Sequence, residues 1–397
     1  MLLLGAVVVL VQHDGRQDVP TGTVDLPRAS PAAASRVLEG FTAAVTSGDA
    51  DALAGLAPRD DRTARSRLAG IADNARSLDL RGVTARFVDQ AGPVAPDGRW
   101  TGVVELTWRL AGVDTGTSRA DVVASFAPDA DGLSLTGFAA PPEGSGARLP
   151  LWLRDRLSVA RQRGVLVVVD GPQRLADTVA RRVVRGVGVV RRVLPRWSAP
   201  VVVEVPASTA DLDETLGVQP GTYEAIAAVT TAAGSGSGAS APVHVFVNPE
   251  VTSRLREAGA QVVMSHELVH VATDATRTPM ATWLLEGFAD YVALRDVPLP
   301  DSTTLARAVR AARRDGVPRS LPADGDFGTR SEELQARYEE AWLACRVVAD
   351  RLGERGLLAV YRSAAAGEPV GTALDDAGLP LRALTGLWRA RLRALAG

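Results

Sequence analysis

The sequence predicts an α+β protein built from two successive units. Three observations carry that expectation. In the first unit, helical spacing comes first and four strand-like runs follow, at residues 83–88, 100–110, 121–126 and 133–138. In the second, β-branched runs at 165–169, 201–205, 225–231 and 243–247 precede a stretch from Gln261 onward that is almost wholly helical. Between the units lies Pro141-Pro142-Glu143-Gly144-Ser145-Gly146, a composition that favours a linker. Segregated helices and strands point to α+β architecture rather than to an alternating parallel fold.

The bulk composition narrows the function. With 397 residues and 46% apolar side chains, the chain can bury the cores of two or three domains. A net charge of -2 offers no concentrated basic face, so nucleic acid is not an expected partner. All 44 basic residues are Arg, as expected of GC-rich coding, so arginines carry little functional signal. A single cysteine, Cys345, excludes an intrachain disulfide and a Cys-based metal site. It lies in an apolar helical stretch and reads as a buried, inert thiol.

Taken in order, residues 1–34 read as an apolar signal or anchor remnant and a linker. Residues 2–11 are nearly all apolar, too few for a membrane-spanning helix of about 20 residues. The run has the length of a signal-peptide core but lacks the basic segment that should precede it. Two readings stand: a truncated signal peptide or membrane tether, which puts the chain outside the cytoplasm, anchored or secreted, or a short apolar strand or helix. His13 falls in the following linker.

The first unit is expected at 35–140. Val37, Leu38, Phe41, Ala44 and Val45 recur at helical spacing, Ser47-Gly48-Asp49 ends that helix, and Asp49 caps a second with Leu53 and Leu56 inside. After a third, Arg-rich helical stretch come the four strands. This order, with Ser47-Gly48-Asp49-Ala50-Asp51-Ala52-Leu53 between the helices, resembles the NTF2-like superfamily of cone-shaped α+β domains. The resemblance implies a docking module, and no catalytic cluster is legible in it. A linker at 141–148 leads to the second unit, 149–397. There, residues 165–169 form a strand ending in Asp170-Gly171-Pro172, and residues 175–194 have helical spacing up to Pro195. The Gly-Ser-rich stretch 232–241 reads as a mobile loop joining two strands.

The chemistry concentrates in His266-Glu267-Leu268-Val269-His270. On a helix, residues four apart share a face, so two imidazoles can converge on one ion. Glu267 stands one step round, where it can serve as general base toward a water. With four His in the whole chain, chance produces this pattern in roughly two of a thousand such sequences. Sixteen residues beyond His270 lies Glu286, within Trp283-Leu284-Leu285-Glu286-Gly287-Phe288-Ala289-Asp290-Tyr291. A carboxylate among so many apolar residues is costly unless paired or metal-bound. Two His and one Glu would hold Zn2+ with a fourth position open. Asp290, four residues after Glu286, shares its face and is placed to accept the free ring N–H of a ligand histidine.

H-E-x-x-H, a gap, then E-x-x-x-D resembles the gluzincins, the thermolysin-like zinc metallopeptidases. The fuller W-L-x-E-G-x-A-D-Y string is similar to their peptidase-MA-like branch. The resemblance covers about residues 150–395. It implies a catalytic domain of mixed sheet plus helical half that hydrolyses peptide or protein substrates, with metal ligands His266, His270 and Glu286 and general base Glu267. It also implies an edge strand at residues 242–248 that pairs with substrate backbone, and a Tyr or His that stabilises the oxyanion. Tyr338, in Arg337-Tyr338-Glu339-Glu340-Ala341-Trp342, matches the family's Y-x-x-(A/S)-W pattern. No G-x-M-E-N-like string precedes the metal helix, which disfavours the aminopeptidase branch. His244 alternates with valines on its strand and is expected to face solvent or the cleft. Two rivals remain open: a catalytically inactive zinc-binding scaffold of the cell envelope, and a scaffold whose zinc is structural. The second would need a fourth protein ligand, and no further His or Cys lies close in sequence.

Overall fold

The computed structural model describes residues 28–130, 132–139, 142, 148–234, 241–331 and 333–397. The apolar run at 2–11, His13, most of the 141–148 linker and the centre of the Gly-Ser stretch lie outside the described residues. The protein is α+β with two sheets.

The first unit opens with α1 (Pro31–Ser47), α2 (Ala50–Gly55) and α3 (Arg62–Leu78). The α2 start follows from Asp49, whose carboxylate accepts the Ala52 N–H at 2.9 Å. Four strands follow as an antiparallel meander in sequence order: β1 (Leu80–Gln90), β2 (Trp100–Leu110), β3 (Ser118–Asp129) and β4 (Gly132–Ala139). Along β2 buried and half-buried residues alternate, the signature of a sheet with one face in the core. Leu38 and Phe41 of α1 and Leu68 and Ile71 of α3 pack on that face.

The second unit begins with β5 (Ser158–Gln162) and β6 (Val165–Val169), then α4 (Gln173–Val193), β7 (Val201–Val205), α5 (Thr209–Leu216), β8 (Ala228–Ala232) and β9 (Val243–Val247). The sequence pattern does not reveal β5 or α5. The five strands form one mixed sheet in the order β5-β6-β7-β9-β8. β6, β7 and β9 run parallel, while β5 and β8 pair antiparallel at the two edges. One expectation is corrected here. Residues 243–247 are not the edge strand: β9 is interior, and β8 occupies the edge. Strand order is set by which connection crosses the sheet, and a local pattern carries no such information.

The helical half comprises α6 (Pro249–Ser253), α7 (Glu257–Thr273), α8 (Thr282–Leu294), α9 (Asp301–Thr304), α10 (Ala306–Asp315), α11 (Leu334–Ala365), α12 (Val370–Asp376) and α13 (Leu381–Ala396). α11 is broken at Gly353, whose φ of 75° lies in the left-handed region that suits glycine.

The mixed sheet is buried on both faces, which explains the unbroken runs Val165-Leu166-Val167-Val168-Val169 and Val201-Val202-Val203. Val165, Val167, Val169, Val201 and Val203 join the core shared with the helical half. Leu166, Val168 and Val202 join the core of the first unit. The two units therefore share a core across the sheet. Asn74 of α3 strengthens the join: its amide donates to the carbonyls of Trp152 (3.1 Å) and Asp155 (3.0 Å) and accepts the Leu157 N–H at 2.9 Å.

A second correction concerns His244. It does not face solvent or the cleft but is 1% exposed, between the units. Its Nδ1 lies 2.6 Å from Glu204 of β7, and its Nε2 lies 2.9 Å from Asp114, in the turn between β2 and β3. Burial alone would lower its pKa. The two carboxylates outweigh that and raise it to about 9, so the ring is an imidazolium bonded at both ends.

Candidate metal centre

α7 carries His266, Glu267 and His270, and α8 carries Glu286 and Asp290. α7 ends at Asp274, whose φ of 52° is a left-handed cap of the kind Asp tolerates. A single 3-10 turn, Ala275–Arg277, then leads toward α8. α8 in turn lies close against α11 because residue 287 is glycine. A Cβ there would press on the Ala341 backbone oxygen and sit 2.9 Å from Cys345 Sγ. That approach, one residue after Glu286, brings Tyr338 of α11 beside the histidines. Glu339 pins α11 further by accepting the backbone N–H groups of Arg307 (2.7 Å) and Ala308 (2.8 Å) in the first turn of α10.

Three ligand atoms converge. His266 Nε2 and His270 Nε2 are 3.0 Å apart, and Glu286 Oε2 lies 3.1 Å from the first and 3.3 Å from the second. This group can hold a metal ion. A tetrahedral ion with bonds of 2.0–2.1 Å separates its ligand atoms by about 3.3 Å, so the observed spacings fit. Burial alone would push the Glu286 carboxyl up, but His270 and His266 hold it well below its ordinary value. It is therefore an anion facing two imidazoles.

Asp290 lies 2.8 Å from His266 Nδ1. Accepting that N–H sets the tautomer and leaves the Nε2 lone pair for the ion. Burial opposes protonation of His266, yet Asp290 and Glu286 together raise its pKa well above the ordinary value. The second histidine lacks such a brace: His270 Nδ1 is buried without a hydrogen-bond partner among the described residues. Asp290→Asn is expected to leave the fold intact and weaken metal affinity by roughly 10–100-fold. Competition with a chelator measures this, and an unchanged affinity would reduce Asp290 to an ordinary helix carboxylate.

Glu267 is buried beside the ligands and lines a cleft with two lobes, of about 210 Å³ and 280 Å³. The smaller is walled by Ile226, Ala227, Val262 and Val263, the larger by Tyr223, Val229, Leu285 and Phe327. β8 contributes Ala228 to both. Tyr338 stands at the junction, its ring 6.0 Å from that of His266 and 5.5 Å from that of Phe327. Burial, then the charges of Glu286, Glu267 and Asp290, push its hydroxyl well above the usual phenol range. It is an O–H donor at neutral pH.

The structure thus brings together all six residues singled out from sequence. Tyr223, Phe327 and the β8 residues are additions. Only tertiary packing draws them to the histidines. No protein-family model matches this chain, and no curated protein matches it significantly.

Proposed function

We propose that this chain is a zinc-dependent peptidase of the gluzincin type, with an NTF2-like unit packed on its catalytic domain. The observation that carries this reading is the convergence of His266, His270 and Glu286 with Glu267 beside them. Zinc would be held by these three residues and, when bound, would supply Lewis-acid polarisation of a carbonyl and of a water. Glu267 takes the proton from the attacking water and delivers it to the leaving nitrogen. Tyr338 donates its O–H to the developing oxyanion. The free edge of β8 offers backbone groups to an extended peptide, which would lie across both lobes. The apolar walls of the smaller lobe suit an aliphatic side chain.

The test is metal analysis of the purified chain together with a casein digest, with and without a chelator. Chelator-sensitive cleavage at about one zinc per chain is expected. Stoichiometric zinc without cleavage would favour the scaffold reading. His266→Ala, His270→Ala and Glu286→Ala should each abolish stoichiometric zinc, because a site with two protein ligands binds far more weakly. Zinc persisting at about one per chain in all three variants would mean that the ion sits elsewhere.

A further inference from the structure

The cleft contains a contact that the motif does not foresee. Along β8, Ala228 packs in the core toward the helices and Val229 packs with α5 on the opposite face. Thr230 therefore points toward α7. It is buried, and its hydroxyl lies 2.7 Å from Glu267 Oε2 and 3.2 Å from the Glu267 carbonyl oxygen. A threonine hydroxyl has one proton to donate, and the carboxylate oxygen at the shorter distance is the stronger acceptor. Among the described residues, no other side chain lies within hydrogen-bond distance of that carboxylate. A glutamate side chain has three rotatable bonds, and without an anchor its oxygens spread over several rotamers.

We propose that Thr230 is a positioning residue for hydrolysis: it grips Glu267 by Oε2 and leaves Oε1, which has no partner among the described residues, to accept the proton. The inference rests on the peptidase reading above. The proton step balances within the site. A water O–H bond breaks as Oε1–H forms, and the oxygen bonds to the carbonyl carbon. The same proton then passes to the leaving nitrogen as the C–N bond breaks. Thr230 keeps its own proton throughout. Its position adds a coupling: the strand that holds the base is the edge strand whose open side faces the cleft. Base and substrate backbone are thereby referred to one rigid element, and displacement of either relative to the other costs rate rather than binding.

The experiment uses Thr230→Val, Thr230→Ala and Thr230→Ser in the full chain, with Glu267→Gln alongside. The probe is a peptide from the casein digest that the wild-type chain cleaves. Val and Ala should lower kcat about 10–100-fold with KM within about two-fold, as expected for loss of a bond that only orients a reacting group. Zinc content should not change. Ser should restore kcat to within about three-fold of wild type, since it keeps the hydroxyl and loses only a methyl. A second readout is independent of activity. In crystals of the metal-free chains, the Glu267 carboxylate should hold one position in wild type and Ser, to within about 0.5 Å, and leave it in Val and Ala. If Val does not fold, as zinc loss would reveal, the Ala and Ser pair decides. Wild-type kcat in Ala, a Ser variant as slow as Ala, or an unmoved carboxylate in Ala each overturns the inference. Full activity in Glu267→Gln would remove the peptidase reading itself. An inactive Glu267→Gln beside a fully active Thr230→Ala removes only the role of Thr230.

Discussion

Glu267→Gln is expected to lower hydrolysis by about 10²–10⁴-fold, the usual range for a lost general base, with zinc content unchanged. The substitution preserves volume in a tight site. Glu267 is 7% exposed, with Thr230 on one side and the ligand histidines on its own helix. A glutamine amide oxygen can still accept the Thr230 hydroxyl, so the side chain should keep its place. What disappears is an oxygen basic enough to take a proton. Because Glu267 is not among the three converging ligands, metal stoichiometry should hold. Activity assays and elemental analysis on one preparation give both numbers, and full turnover in this variant would eliminate the proposed mechanism.

His244→Ala should destabilise the fold by about 3–5 kcal/mol, the range for removing one partner from a buried ion pair. The variant leaves Asp114 and Glu204 without their shared cation, in a site where the Asp114 side chain is 1% exposed. Among the described residues, Asp114 would retain only the Leu110 N–H, which it accepts at 2.8 Å. The damage falls on the join between the units, since Asp114 lies in the β2–β3 turn of the first unit and Glu204 in the sheet of the second. Urea unfolding at neutral pH measures the loss, and a change below about 1 kcal/mol would show that neither carboxylate depends on the ring. The pH dependence carries a definite sign. The folded pKa is raised, from 6.5 to about 9, so the contribution is fully present below 6.5 and is lost as pH rises through 9. A shift of that size is worth roughly 3 kcal/mol. The gap between wild type and His244→Ala should therefore narrow between pH 7 and pH 10. A constant gap would mean that the ring acts through packing alone.

The behaviour of His244 also marks where sequence reading stops. Its alternation with Val243 and Val245 correctly implies a strand, but alternation assigns opposite faces without saying what covers them. A sheet with solvent on one face would expose His244. This sheet has helices on one face and the first unit on the other. The joint at 141–148 reads as a plain linker, and nothing in it signals that Leu166, Val168 and Val202 complete the first unit's core.

The group of His266, His270 and Glu286 was legible for a different reason. His266 and His270 are four apart on one helix, and Glu286 and Asp290 are four apart on the next, so local helical geometry already places each pair on one face. The apolar flanks then require that the charged face meet a partner. Sequence alone thus determined the α+β class, most element positions, the pairs His266/His270 and Glu286/Asp290 that meet, and the place of Glu267 beside them. Tertiary structure decided which strand lies at the open edge, what buries His244, and that Thr230 reaches Glu267. Those are contacts between segments 37–130 residues apart in the chain. Their formation depends on sheet order and layer packing, which no window of neighbouring residues encodes.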